Sequence, residues 1–332
     1  MSSTSFHLSA STPLTKFFKD KSVKEIRENT SHVTAHLISL KRWLCSMPHL
    51  SCADDDRIFL AFLRQSKFNH SEAQMRLDNF ITLRSSPESP VFSWYDRSTI
   101  TSAILDEYLR TGFHCPIGFL HDGSFLFMVR LGCWNNNRLP TETVLKLLML
   151  QLDRMLEDPR IQICGLRVFI DFTGVSPSLL DTINPKKTIR DLSKILQEAY
   201  PFRMRGIIYY NEPPIMEVLF KLLALWLKPK VRERFIRVKS NIKKAYDKVP
   251  GLENVLPKEY GGQNRSIKDI LREQNADFKE YFYRCDMMLW NSMKVNERKR
   301  PESAKRLMCE YKEADDRSMG TAGTFTRLPV ND

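Results

Sequence analysis

Between residues 122 and 210 the chain alternates two textures, and that alternation limits the folds open to it. DGSFLFMVRLG (122–132), CGLRVFIDFTG (164–174) and RGIIYY (205–210) are short apolar runs, partly β-branched and bounded by turn residues, as strands are. Between the first two lies TETVLKLLMLQLDRMLEDP, which starts a helix near Thr141 and stops at Pro159; between the last two lies KKTIRDLSKILQEAYP, stopped by Pro201. Strands alternating with helices predict an α/β sheet with crossovers.

The flanks read differently. Residues 1–19 are Ser/Thr-rich and are expected to be disordered, and 20–88 form a small helical domain. Within it Ile58, Phe59, Phe62 and Leu63 fall on one helix face, and Asp54, Asp55 and Asp56 place negative charge at that helix's N-terminus. SSPESP (85–90) is a turn-rich link to the α/β domain, taken as 89–272. A C-terminal helix follows over 273–296, through Phe278, Phe282, Cys285 and Leu289, and 297–332 reads as a polar flexible tail.

A length of 332 residues with 42% hydrophobic content allows a real core without staples. The seven cysteines are scattered with no CxxC pair, so they read as reduced thiols rather than disulfides or zinc ligands. No secretory signal opens the sequence, and the longest apolar run falls short of the roughly 18–20 residues of a spanning helix. The expectation is a cytoplasmic protein, peripheral on endosomal or plasma membranes. Fifty-one Lys and Arg against 39 Asp and Glu leave a net charge of +12, which favours phosphate-bearing partners.

That charge is concentrated. From Lys228 to Lys248 nine Lys/Arg face two Asp/Glu, directly after VLFKLLALWL, whose only polar side chain is Lys221. A helix over 215–227 with one narrow polar line is ordinarily just buried, and a basic run is ordinarily a solvated face. Their junction points instead to a peripheral protein that docks on an anionic bilayer. Lys230 and Arg234 share a helix face, Arg203 and Arg205 share a strand face, and converging pairs would hold a multiply charged phosphate. Nucleic acid is not the expected partner, because the cations adjoin an apolar helix instead of interleaving with exposed aromatics. No GxGxxG, Walker, GxSxG or HExxH pattern is present, and Asp171 reads as a turn-capping aspartate, so no catalytic residue, metal or cofactor is expected.

DDDRIFLAFLRQSKFNHSEAQMRL, VFIDFTG, PFRMRGIIYYNEPPIMEVLF, KPKVRERF and LPKEYGG, in this order over about residues 50–270, resemble the CRAL-TRIO lipid-binding family. The subgroup indicated is that of tocopherol transfer, retinaldehyde-binding and clavesin proteins. The resemblance implies a three-helix N-terminal domain before a mixed, mostly parallel sheet with helices, whose cavity is covered by a mobile gate helix. It implies gate residues Ile215, Leu219, Phe220, Leu222, Leu223 and Trp226, and a phosphoinositide, a bisphosphate by expectation, at Arg203, Arg205, Lys230, Arg234 and Arg64. The implied pocket comprises Leu148, Gln151, Leu152, Leu166, Leu192, Ile195, Leu196 and Ile207. Tocopherol-binding members carry serines on helix 141–157, where this chain offers Leu147, Leu148 and Leu152 with only Gln151 polar, so a retinoid or a phospholipid stays open beside tocopherol. The function expected is a carrier that exchanges a hydrophobic ligand at phosphoinositide-containing membranes; the alternative is a phosphoinositide-binding, lipid-responsive adaptor without transfer.

Overall fold

The computed structural model describes residues 6–176, 179, 185–214, 216–217, 233–284, 287–302 and 304. Four helices come first: α1 (Lys16–Ile26), α2 (Val33–Ser46), α3 (Asp56–Gln65) and α4 (His70–Ser85), with the two-residue strand β1 (Leu50–Ser51) between α2 and α3. Asp55 is the N-cap of α3 and accepts from the amides of Arg57 and Ile58, which satisfies donors that a helix start leaves open. Ile58, Phe59, Phe62 and Leu63 are all buried, as their spacing predicts. α2, α3 and α4 pack on one another as a three-helix unit.

The α/β part contains α5 (Ser102–Thr111), β2 (His114–Phe119), β3 (Phe125–Arg130), α6 (Thr141–Glu157), α7 (Pro159–Cys164), β4 (Leu166–Asp171), α8 (Pro185–Lys194), β5 (Met204–Tyr210) and β6 (Phe235–Arg237). α8 continues as a π-helical turn, Ile195–Ala199. The strands lie in the order β2-β3-β4-β5-β6, with β2 antiparallel to β3 and every later pair parallel. Alternation along each strand then divides the side chains between two faces. Leu126, Met128, Phe169 and Ile208 join a core with Val249, Leu252, Leu256 and Ile270 from the segment after β6. Phe127, Val129, Val168, Ile170 and Ile207 face the other way, toward α6 and α8. Gly165, at φ +87°, fixes the start of β4: a Cβ there would lie 2.1 Å from the carbonyl oxygen of Arg203, so only glycine lets β4 lie this close to the chain entering β5.

Three sequence boundaries need correction. Residues 6–19 are ordered: Phe6 sits edge-on to Phe119 and Phe125, and α1 begins at Lys16. Scattered aromatic anchors hold this segment, whereas its Ser/Thr content masks them in the sequence. α1 packs chiefly on α7, with Phe18 and Ile26 against Ile163 and Cys164. At the other end α9 (Ile267–Arg284) runs unbroken across residue 272, followed by α10 (Met287–Ser292) and β7 (Lys294–Val295), which pairs with β1. The start of the expected flexible tail is anchored too, because Arg300 is buried and donates to Asp78, Thr82 and Glu297.

A buried ionic group joins α4 to α6. The Asp153 carboxylate, with no exposed surface, accepts from Arg84 at 2.6 Å, from Arg97 and from Tyr200 Oη at 2.8 Å. The Arg84 guanidinium also lies over the rings of Phe80, Tyr95 and Trp290.

Candidate ligand cavity and anion site

The sheet face toward α6 and α8 encloses a cavity of about 280 Å³. Leu148 and Leu152 reach it from α6, Leu166, Val168 and Ile170 from β4, Ile207 from β5, Leu192 from α8, and Leu196 from the π-helical turn. Met216 and Phe235 close the β6 end, and Phe113, His114 and Trp134 the β2 end. Two of the expected pocket residues do not line it. Ile195 is turned into the core shared with α4, because its neighbour Leu196 takes the cavity-facing position and consecutive helical residues point about 100° apart. Gln151 sits behind the wall, fully enclosed. Ile215, Leu219, Phe220, Leu222, Leu223 and Trp226, the expected gate, lie outside the described residues, as does Lys230.

Polar side chains that sequence reasoning did not single out also line the cavity: Thr141, Thr188, Ser193, Gln197 and the buried His114. His114 opens β2, is 5% exposed, and its Nδ1 meets Tyr108 Oη. Burial pushes its imidazole down from 6.5 to about 3, so the ring is neutral at physiological pH. A histidine at the head of an otherwise apolar strand was the available signal.

A second feature lies at the amino ends of the parallel strands. Arg167 is in β4, Arg203 and Arg205 are at the start of β5, and Arg234 directly precedes β6, so the topology gathers four arginines along one edge. Glu25 of α1 bridges two of them: its Oε2 accepts from Arg203 Nη2 at 3.1 Å and from Arg205 Nη2 at 2.9 Å, and its Oε1 accepts from Lys21 at 2.8 Å. Burial alone would raise the Glu25 carboxyl, but Lys21, Arg205 and Arg203 together hold it below its ordinary value. Arg203 also donates to the Ile163 carbonyl and Arg234 to the Met204 carbonyl. Burial and the neighbouring charge of Arg205 push both guanidinium groups down, so cations crowd here. Arg167, which the sequence reading passed over, donates to Asp122 at 2.9 Å and reaches the Arg205 carbonyl at 3.4 Å.

Arg64 does not join this group. Its side chain is 5% exposed and forks onto Glu28 at 2.8 and 2.9 Å, with Gln162 accepting at 2.7 Å. It ties α3 to the chain after α1 and to α7. Asp171 is equally structural: it accepts from the amide and hydroxyl of Thr173, and from the Tyr260 hydroxyl at 2.6 Å, which explains how VFIDFTG and LPKEYGG meet. Among the described residues no helix is long and apolar enough to cross a membrane.

The CRAL/TRIO domain model matches residues 109–262. The alpha-tocopherol transfer protein-like protein of Homo sapiens is 30% identical over 260 residues, which cover 74% of this chain and 72% of its own. Clavesin-2 of Homo sapiens is 24% identical over 245 residues, 73% of each chain. The crystal structure of Sfh5 superposes on 92% of this chain and 100% of its own, at 12% identity and a TM-score of 0.46. The matched residues span the sheet, the cavity and the arginine edge, and the chain belongs to the CRAL/TRIO family.

Proposed function

We propose that this protein is a lipid carrier that holds a hydrophobic ligand, an isoprenoid or a phospholipid, in the cavity under α6 and α8 and exchanges it at phosphoinositide-containing membranes. Family membership supports the lipid-binding part. The observation that carries the membrane part is that cavity and arginine edge share a strand: Ile207 lines the cavity two residues beyond Arg205. A phosphoinositide headgroup engages Arg203, Arg205 and Arg234, with Arg167 beside them and Lys230 as the further cation, and the apolar segment 215–227 enters the interface.

Docking and release are then one equilibrium. A headgroup that binds better to the open form weakens ligand retention by the same factor. The protein performs no reaction and needs no cofactor in this reading, and it works at the cytoplasmic surface of endosomal or plasma membranes.

Native mass spectrometry of the purified chain, with extraction and identification of any bound lipid, tests it. A stoichiometric isoprenoid or phospholipid is the expected result. A chain that stays empty after exposure to vesicles containing both would overturn the carrier and leave a phosphoinositide-binding adaptor.

A further inference from the structure

Away from the lipid cavity and the arginine edge, a second cavity of about 570 Å³ opens where α3, α6, α9 and the N-terminal segment meet. Arg154 and Glu157 of α6 form one side, Asp277 and Tyr281 of α9 another, and residues 7–11 a third. That segment is held in place by Arg160, which donates to the His7 carbonyl at 2.7 Å, and by the Ser9 amide, which donates to Asp158 at 3.3 Å. Unlike the lipid cavity, this one carries charge of both signs on its walls: Arg57, Arg154 and Arg284 against Glu157, Asp277 and Glu280.

Most of these charges have partners. Arg57 donates to Asp55 at 3.0 Å, Arg284 faces Glu280 at 3.6 Å, and His7 Nδ1 lies 2.7 Å from Asp277 Oδ2. Arg154 and Glu157 differ. The Arg154 side chain is 4% exposed, reaches Asp277 only at 3.5 Å through Nη2, and its Nη1 has no hydrogen-bond partner among the described residues. Glu157 accepts from the Tyr281 hydroxyl at 2.9 Å and makes no ion pair among the described residues. The two stand three residues apart on α6 and so share a face, yet neither takes the other as its partner. Burial pushes the Arg154 guanidinium down and the Glu157 carboxyl up, each toward its uncharged form. Two neighbouring charges of opposite sign, withdrawn from water and incompletely paired, are costly for a fold to keep.

We propose that this cavity binds a small zwitterion, an α-amino acid by class, with its carboxylate on Arg154 and its ammonium group toward Glu157 and Asp277. A guanidinium fork matches a planar carboxylate, and the charge-assisted bonds complete a group that Asp277 holds only at its limit. A dianion such as phosphate would face three carboxylates, and a simple amine would face three guanidinium groups. A ligand with both charges a bond or two apart meets neither penalty. The site goes beyond the carrier reading and stands without it.

The test is saturation-transfer NMR of the full chain with an equimolar mixture of the twenty common amino acids. Titrations then compare the strongest binder with the matching carboxylic acid that lacks the amino group and the matching amine that lacks the carboxyl group. The amino acid should bind about tenfold or more tightly than either, the effect of one charge-assisted hydrogen bond. That comparison uses the wild type alone and does not depend on any variant folding. Glu157→Gln, which keeps the shape and removes the negative charge, should shrink the advantage over the carboxylic acid while the advantage over the amine persists. Equal binding of the amino acid and either singly charged compound overturns the zwitterion. An advantage that Glu157→Gln leaves unchanged overturns the placement, and failure of all twenty to bind means that water alone fills the cavity and overturns the site.

Discussion

At the scale of single residues, the two proposed activities are separable by mutation, because different side chains would carry them. Changing Arg203 and Arg205 together to Gln should weaken binding to phosphoinositide vesicles roughly thirtyfold, at about 1 kcal/mol for each cation, and leave ligand capacity unchanged; vesicle sedimentation and lipid extraction read the two separately. Ile207→Trp, which fills the cavity wall, should do the reverse. The buried His114 gives a pH signature as well. Its folded value near 3 lies below the ordinary 6.5, so between those limits the unfolded chain binds the extra proton and stability falls as pH drops, by up to about 1.4 kcal/mol per pH unit. Urea unfolding of His114→Phe across that window should show a shallower pH dependence than the wild type. Six of the positions implied by the family resemblance line the cavity. Ile195 and Gln151 do not, since each adjoins a true lining residue and one step along a helix turns a side chain out of the wall. Arg64 was misread for a different reason: sequence gives its charge but not its partner Glu28, 36 residues away.

At the scale of elements, α1 matters more than its sequence suggests. It contributes no residue to the cavity, yet its Glu25 occupies the forks of Arg203 and Arg205 that a headgroup would use. Glu25→Gln should therefore raise affinity for phosphoinositide vesicles several-fold, measured by sedimentation against vesicles of phosphatidylcholine alone; an unchanged affinity would mean that the headgroup binds elsewhere on the edge. The strands and the main helices were readable because their periods differ, two residues against 3.6, and prolines stop the helices. The start of α1 was not, because its anchors Phe6 and Phe18 are separated by polar residues and bury themselves only against the sheet and α7. The π-helical turn also escapes periodicity, which assumes a constant rotation per residue.

At the scale of the whole molecule, buried charge holds the helical unit to the α/β domain, and a small β pair ties the C-terminal segment back to the helical unit. Asp153→Asn would leave Arg84 and Arg97 enclosed without their carboxylate, and about 3–5 kcal/mol of stability should be lost, seen as a large fall in the urea midpoint. The β1–β7 pair and the Arg300–Asp78 contact return the C-terminal segment of the described chain to β1 and α4, which no local pattern could announce. The Glu25 bridge has a consequence in solution as well. Cations in open water hold mobile anions that a polyanion sets free on binding, and this release makes association fall steeply with added salt. A headgroup that replaces Glu25 displaces a charge tethered to the same chain, so little is set free. Vesicle docking should then tolerate salt better than four arginines in water would, and the steepness should return when the tethered carboxylate is removed.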